Sequence, residues 1–206
     1  MTGALRTTLV FDLGGVLIDW NPRYLYRHML DDAEIEAFLE ETGLLARNAR
    51  LDSGASWAEE IEALATVFPH RRGLIEAFWR RWPETLGDEI AGTVEILREL
   101  RDTGVRIVAL SNWSAETFPV AYQRFDVLHW FDGIVLSGEV GVSKPDPRIF
   151  EVMAQRLGVD PATAVFIDDS RANVAAASAL GYQAIHFTAP DELRDELTGL
   201  GLLSGR

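Results

Sequence analysis

The stretch Thr7-Thr8-Leu9-Val10-Phe11-Asp12-Leu13-Gly14-Gly15-Val16-Leu17 sets the fold class of this chain. Its first part is dense in β-branched and apolar residues, as a buried strand is, and it stops at an acid. A carboxylate at the carboxyl end of a buried strand, beside glycines that let a ligand approach the backbone, is placed to be a nucleophile or a metal ligand. Alone, Asp12 is equally a turn or cap residue, because aspartate favours such positions. Three later strand ends also carry polar groups: Ser111-Asn112, Lys144-Pro145 and Asp168-Asp169.

Outward from that stretch, strand-like runs lie near residues 7–12, 105–111, 133–136, 164–168 and 182–187. Helical patterns separate most of them. Residues 88–103 put Ile90, Val94, Leu97 and Leu100 on one face and end at Gly104, a C′ glycine. Asp146-Pro147 and Asp160-Pro161 each read as an N-cap followed by proline at N1, and the first opens a helix that stops near Gly158. Alternating strands and helices imply an α/β fold with a parallel, Rossmann-like sheet covered on both faces.

Residues 20–85 break the alternation, with helical periodicity from Asn21-Pro22 to Trp82-Pro83 and no convincing strand. That is too long for a loop and reads as a small helical cap inserted after the first strand. The expected organisation is a core of residues 1–19 and 86–206 with a cap of 20–85. Trp20, Trp57, Trp79 and Trp82 lie in or beside the cap and are expected to pack it. The tail from Asp191 to Arg206 reads as a last short helix with a frayed Ser204-Gly205-Arg206 end.

Composition narrows the function. A chain of 206 residues, 48% of them hydrophobic, can bury a substantial core. A formal net charge of −13 argues against nucleic-acid binding, which needs clustered Lys and Arg. No apolar stretch approaches a membrane span and no secretory leader is evident, so cytoplasm is the expected location, as monomer or homodimer. Zero cysteines excludes disulfides, thiol catalysis and Cys-based zinc sites. The four histidines show no metal-ligand spacing.

In an open parallel sheet the polar strand ends converge on one crevice. Their order is an acid, a hydroxyl with an amide, a lysine and paired acids, a set suited to phosphate and a divalent cation. On that reading Asp12 attacks phosphorus, and Mg²⁺ bridges Asp12, the Asp168/Asp169 pair and a phosphate oxygen. Ser111, Asn112 and nearby N–H groups hold the other oxygens, and Lys144 offsets the charge. Which of Asp168 and Asp169 is the direct ligand stays open. Asn173 is a candidate to orient these carboxylates.

Val10-Phe11-Asp12-Leu13-Gly14-Gly15, Val108-Ala109-Leu110-Ser111-Asn112, Lys144-Pro145 and Phe166-Ile167-Asp168-Asp169, in that order, resemble the motifs of the haloacid dehalogenase superfamily along essentially the whole chain. Within it the chain looks most like the bacterial α-D-glucose-1-phosphate phosphatase type. The resemblance implies a Rossmann-like core with strand one central, a helical cap, Mg²⁺, and an aspartyl-enzyme intermediate formed on a small phosphorylated metabolite. One departure stands out. Most phosphatases of the superfamily carry a second Asp two residues after the nucleophile, where it moves protons; here that residue is Gly14, whose carbonyl can still bind Mg²⁺. General acid–base help is commonly worth about 10²–10⁴ in rate, so its loss suits good leaving groups such as an anomeric oxygen.

Two rivals remain open at this point. A 2-haloacid dehalogenase would use Asp12 to attack carbon; such enzymes resemble one another in having serines where this chain has Asp168 and Asp169, and a tyrosine where it has Phe150. A catalytically weak phosphometabolite-binding protein is favoured by Gly14 and disfavoured by the intact acids and lysine. Arg47, Arg50, Arg80 and Arg81 of the cap are read as surface charge rather than substrate contacts.

Overall fold

The structure, a computed structural model, describes residues 7–204; Gly205 and Arg206 of the expected frayed end lie outside the described residues. In chain order the strands are β1 (Thr8–Phe11), β2 (Ile18–Trp20), β3 (Leu86–Glu89), β4 (Arg106–Ser111), β5 (Ile134–Leu136), β6 (Ala164–Asp168) and β7 (Gln183–His186). Five of them form one parallel sheet in the order β5-β4-β1-β6-β7, so β1 is central. Between β2 and β3 come α1 (Arg23–Tyr26), α2 (Asp32–Thr42), α3 (Leu44–Asp52), α4 (Trp57–Val67) and α5 (Arg72–Arg80). The other helices are α6 (Ala91–Asp102), α7 (Phe118–Arg124), α8 (Ser137–Val140), α9 (Pro147–Leu157), α10 (Arg171–Ala179) and α11 (Pro190–Gly199).

Alternation along the strands builds two apolar layers. Leu9 and Phe11 of β1, Ile107 and Ala109 of β4, and Val165 and Ile167 of β6 face one layer, with α6, α11 and the helices between β2 and β3. Val10, Val108, Leu110 and Phe166 face the other, against Ile149, Phe150 and Met153 of α9. Phe150 packs edge-on to Phe166 at 5.3 Å between ring centroids. Burial on both faces is why these strands read as continuous apolar runs. The first layer extends without a break into α1–α5, where Trp57 sits on Phe78 and Tyr26 on Phe38.

Local chemistry explains the element ends. Asp146 caps α9 by accepting the Arg148 N–H, Pro147 follows at N1, and Gly158 ends the helix in the left-handed region. Asp31 and Glu34 form a reciprocal capping box on α2. Asp160-Pro161 opens only a 3₁₀ turn, Pro161–Thr163, because Ala164 already belongs to β6.

The antiparallel ribbon β2–β3 is absent from the sequence reading. It is only three and four residues long and carries Asp19, Asp88 and Glu89, so neither strand shows an apolar signal. Pairing of Glu89 with Ile18 takes residues that the periodicity places in the next helix, and α6 starts at Ala91 instead. At Gly87 a Cβ would stand 2.6 Å from Asp19 Oδ2, so any larger residue there would force the Asp19 side chain to move. No helix among the described residues is long and apolar enough to cross a membrane.

Candidate active site

Lys144 is the centre of the site. Its ammonium, fully enclosed, donates to Leu110 O at 2.7 Å and Asp168 Oδ2 at 2.7 Å, and it lies 3.0 Å from Asp12 Oδ1. A buried lysine needs paired charge to stay charged. Burial opposes its charge, but Asp12 and Asp168 outweigh burial and hold the group above its ordinary range. The loop that brings it in is clamped from β4: Asn112 Nδ2 donates to Lys144 O at 2.9 Å, and Lys144 N–H donates to Asn112 Oδ1 at 2.8 Å. The Lys144-Pro145 peptide is cis.

Asp12 follows directly on β1 and is 7% exposed. Its Oδ1 accepts the Leu13 N–H at 2.7 Å as well as facing Lys144. Burial pushes its carboxyl up to about 7 against the pull of Lys144, and the charge of Asp168 adds to the rise. Asp168 ends β6 with no exposure; its Oδ1 accepts the Ser170 N–H at 2.8 Å and Asn173 Nδ2 at 2.9 Å. Asn173 thus touches Asp168, one of the carboxylates it was expected to orient. As a residue Asp169 is exposed by contrast, but its carboxyl turns toward the acid cluster, where partial loss of solvent and the neighbouring Asp168 charge hold it above the ordinary range. Oxygens of Asp12, Asp168 and Asp169 all lie within 4.8 Å of one another.

Gly15 makes that approach feasible. It adopts φ +75°, and a Cβ on it would stand 2.3 Å from Asp169 Oδ2. Gly14 differs: it is outside the left-handed region, and an added Cβ would meet nothing within 4 Å.

A cavity of about 210 Å³ opens over these residues. Asp12, Gly14, Gly15, Ser111, Asn112, Trp113 and Asp169 border it from the strand ends. Trp20, Asn48, Asp52 and Trp82 border it from β2, α3 and the turn before β3. The α1–α5 region is tied down here: Trp57 Nε1 donates to Ser114 Oγ at 3.0 Å, Ser53 Oγ to Ser143 Oγ at 3.0 Å, and Ser137 Oγ to Asp52 O.

The structure therefore brings together Asp12, Gly14, Ser111, Asn112, Lys144, Asp168 and Asp169, all seven residues singled out from the sequence. Ser111 is buried at the cavity wall, and Asn112 has its acceptor and one donor engaged by Lys144. Arg47 and Arg50 both pair with Glu60, Arg80 with Glu76 and Arg81 with Glu84, and none of them borders the cavity. Trp57 is wholly buried, whereas Trp79 is exposed. Sequence reasoning missed Asn48 and Asp52. Their spacing of four on one helix was the available signal, and Asn48 Nδ2 does donate to Asp52 Oδ2 at 2.8 Å.

A family model for haloacid dehalogenase-like hydrolases matches residues 7–181. The chain is 28% identical over 183 residues to a sesquiterpene phosphatase of Aspergillus oryzae, across 87% of this chain and 88% of that one. It is 25% identical over 197 residues to a phosphorylated carbohydrates phosphatase of Thermotoga maritima, across 86% of this chain and 83% of that one. A haloacid dehalogenase-family enzyme from Bacteroides thetaiotaomicron, crystallised with magnesium and inorganic phosphate, shares the fold with a TM-score of 0.66 at 24% identity, over 89% of this chain and 95% of that one. With motif order, central strand and converging acids in agreement, the chain belongs to the haloacid dehalogenase-like hydrolase family.

Proposed function

We propose that this hydrolase is a Mg²⁺-dependent phosphatase that cleaves a small phosphomonoester, a sugar phosphate first among candidates, through an aspartyl-phosphate on Asp12. The observation that carries the reading is the buried Lys144 held between Asp12 and Asp168, with Asp169 exposed beside them. Three carboxylates within reach of one another are hard oxygen donors, the type Mg²⁺ prefers, and one lysine leaves their charge uncompensated. The residues therefore fit the cation. Asp12, Asp169 and the Gly14 carbonyl would hold it directly, with Asp168 in the same cluster but already hydrogen-bonded through both oxygens. Bound Mg²⁺ would neutralise phosphate oxygens and draw the Asp12 carboxyl down from about 7 into its anionic form.

Asp12 Oδ1 carries the Leu13 and Lys144 contacts, so Oδ2 is the oxygen that meets phosphorus. Lys144 offsets the charge as nucleophile and phosphate close up. Ser111 and the main chain of Asn112 hold the remaining oxygens, and the Asn112 side chain positions Lys144. Residues 20–85 serve as the cap, with 1–19 and 86–206 as the catalytic core, and the ties through Trp57 and Ser53 keep the cavity covered. Among the described residues no arginine or lysine borders the cavity, so a leaving group with a second negative charge finds no partner among them. Three tryptophans and the Asn48–Asp52 pair suit a neutral group with an apolar face and hydroxyls, which supports the glucose-1-phosphate type.

Dehalogenation is disfavoured by the same acids, because a carboxylate substrate would meet Asp12, Asp52 and Asp169 without a cation to offset them. The test is phosphate release from glucose 1-phosphate, glucose 6-phosphate, phosphoglycolate and a prenyl monophosphate, with Mg²⁺ and with EDTA, by wild type and Asp12→Asn. Mg²⁺-dependent release led by glucose 1-phosphate and lost in Asp12→Asn is expected. Turnover preserved in Asp12→Asn rules out aspartyl catalysis, and halide release from 2-chloropropionate without phosphate release moves the chain to the dehalogenases.

A further inference from the structure

We propose that Asp52, delivered by the last residue of α3, is the proton-transfer group of the reaction, standing in for the side chain that Gly14 lacks. The inference rests on the phosphatase reading above. Among the described residues that border the cavity the carboxyls are Asp12, Asp169 and Asp52, and the first two belong to the acid cluster. Asp52 alone is outside it, brought to the same cavity by the end of α3 rather than by a strand end, so it can meet a leaving group bound beside Asp12 without belonging to the acid cluster.

The side chain is held for such a task. Asn48 Nδ2 donates to Asp52 Oδ2 at 2.8 Å, the Ser114 N–H reaches the same carboxyl, and Ser137 Oγ donates to the Asp52 carbonyl. These contacts come from α3 itself, from the segment after β4 and from α8, so the carboxyl is fixed against the core. Burial pushes it up to about 7, against the Ser114 N–H, and the Asp12 charge adds to the rise. A group poised near neutrality can give a proton in one step and take one in the next.

The chemistry balances. In the first step Asp12 Oδ2 bonds to phosphorus, the bond from phosphorus to the leaving oxygen breaks, and that oxygen takes the Asp52 proton and departs as an alcohol. In the second step the Asp52 carboxylate takes a proton from water, the water oxygen bonds to phosphorus, and the bond to Asp12 breaks. Inorganic phosphate leaves, and Asp52 is protonated again.

The experiment uses the full chain with Mg²⁺ and two substrates, glucose 6-phosphate with a poor leaving group and p-nitrophenyl phosphate with a good one. Acid-quenched samples are weighed by mass spectrometry for phosphoryl on Asp12, and melting temperatures are taken in EDTA. In Asp52→Asn, glucose 6-phosphate turnover should fall about 10²–10⁴-fold. p-Nitrophenyl phosphate should still give a burst of one nitrophenolate per chain, after which phosphorylated Asp12 accumulates because water has lost its base. Adding Gly14→Asp to Asp52→Asn should restore turnover of both, since position 14 has open space for a carboxylate. Asp52→Ser asks the same question if the asparagine variant does not fold. Equal losses on both substrates with no phosphoenzyme, or no loss on either, overturn the role of Asp52 while leaving the phosphatase reading intact. A wild-type chain that releases no phosphate from any ester overturns the phosphatase reading itself.

Discussion

Replacing Lys144 by methionine tests the electrostatic logic of the site without any assumption about substrate. Methionine keeps most of the side-chain volume and removes the ammonium, so the loss is electrostatic. Three contacts of 2.7, 2.7 and 3.0 Å disappear, and Asp12 and Asp168 are left facing each other in a place with almost no solvent. Breaking a buried ion pair by removing one partner costs about 3–5 kcal/mol. For a chain of this size each kcal/mol moves the melting temperature by about 2–4 °C, so Lys144→Met should melt roughly 6–20 °C below wild type at pH 8 in EDTA. Two controls sharpen the reading. At pH 5.5 Asp12, whose carboxyl sits near 7, takes up a proton and the gap should shrink. Adding Asp168→Asn to Lys144→Met removes the second charge and should recover most of the loss. Differential scanning fluorimetry at the two pH values reads all of this. A variant within about 2 °C of wild type at pH 8 would refute the claim that Lys144 neutralises these acids.

Gly15→Ala puts a Cβ 2.3 Å from Asp169 Oδ2 at φ +75°; calorimetric Mg²⁺ titration should show about tenfold weaker binding, and melting should register roughly 1–3 kcal/mol of strain. Unchanged affinity would mean that Asp169 is not held against that turn. Trp57→Phe removes the Nε1 bond to buried Ser114 and part of the packing on Phe78; about 1–3 kcal/mol should be lost in urea unfolding, with faster proteolysis between β2 and β3. In EDTA the carboxyls of Asp12 and Asp52, both near 7, make the folded chain hold more protons than the unfolded one between about pH 4 and 7. Their contribution is fully present below the unfolded value and is lost as pH rises through 7, so the melting temperature should fall from pH 5.5 to 8. Mg²⁺ should flatten that slope by taking the place of the protons, and a melting temperature that rises over the same window in EDTA would contradict the burial of these groups.

The parallel sheet was legible because its strands are buried on both faces, which writes them into the chain as runs such as Leu9-Val10-Phe11 and Val165-Phe166-Ile167. The candidate site was legible for a related reason: Asp12, Ser111-Asn112 and Asp168-Asp169 each interrupt such a run at a strand end, whereas Lys144 comes from the loop after α8, eight residues beyond β5, and was legible only from its place beside Pro145. What stayed hidden has no such local signature. The ribbon β2–β3 is held by register and by the absence of a side chain at Gly87, not by apolar pattern. Asp52 stands in an arginine-rich helix where Asn48 and Asp52 look like ordinary surface residues. Only the fold, which sets the end of α3 across from β1, gives that acid a neighbour in Asp12.

Charge then links the whole chain to the chemistry of its cavity. At −13 overall, and with Asp12, Asp52 and Asp169 all bordering one small space, the protein presents a field that opposes the anionic substrate proposed for it. Lys144 does not reverse this by itself, because it lies behind the wall and is already shared between two acids. The cap arginines do not help either: Arg47 and Arg50 both close on Glu60. On the phosphatase proposal, phosphate would bind only together with a divalent cation, and with that cation in place the walls of tryptophan, asparagine and Asp52 would favour a leaving group that carries no charge of its own. On that proposal, selectivity would come as much from where positive charge is missing as from where it is present.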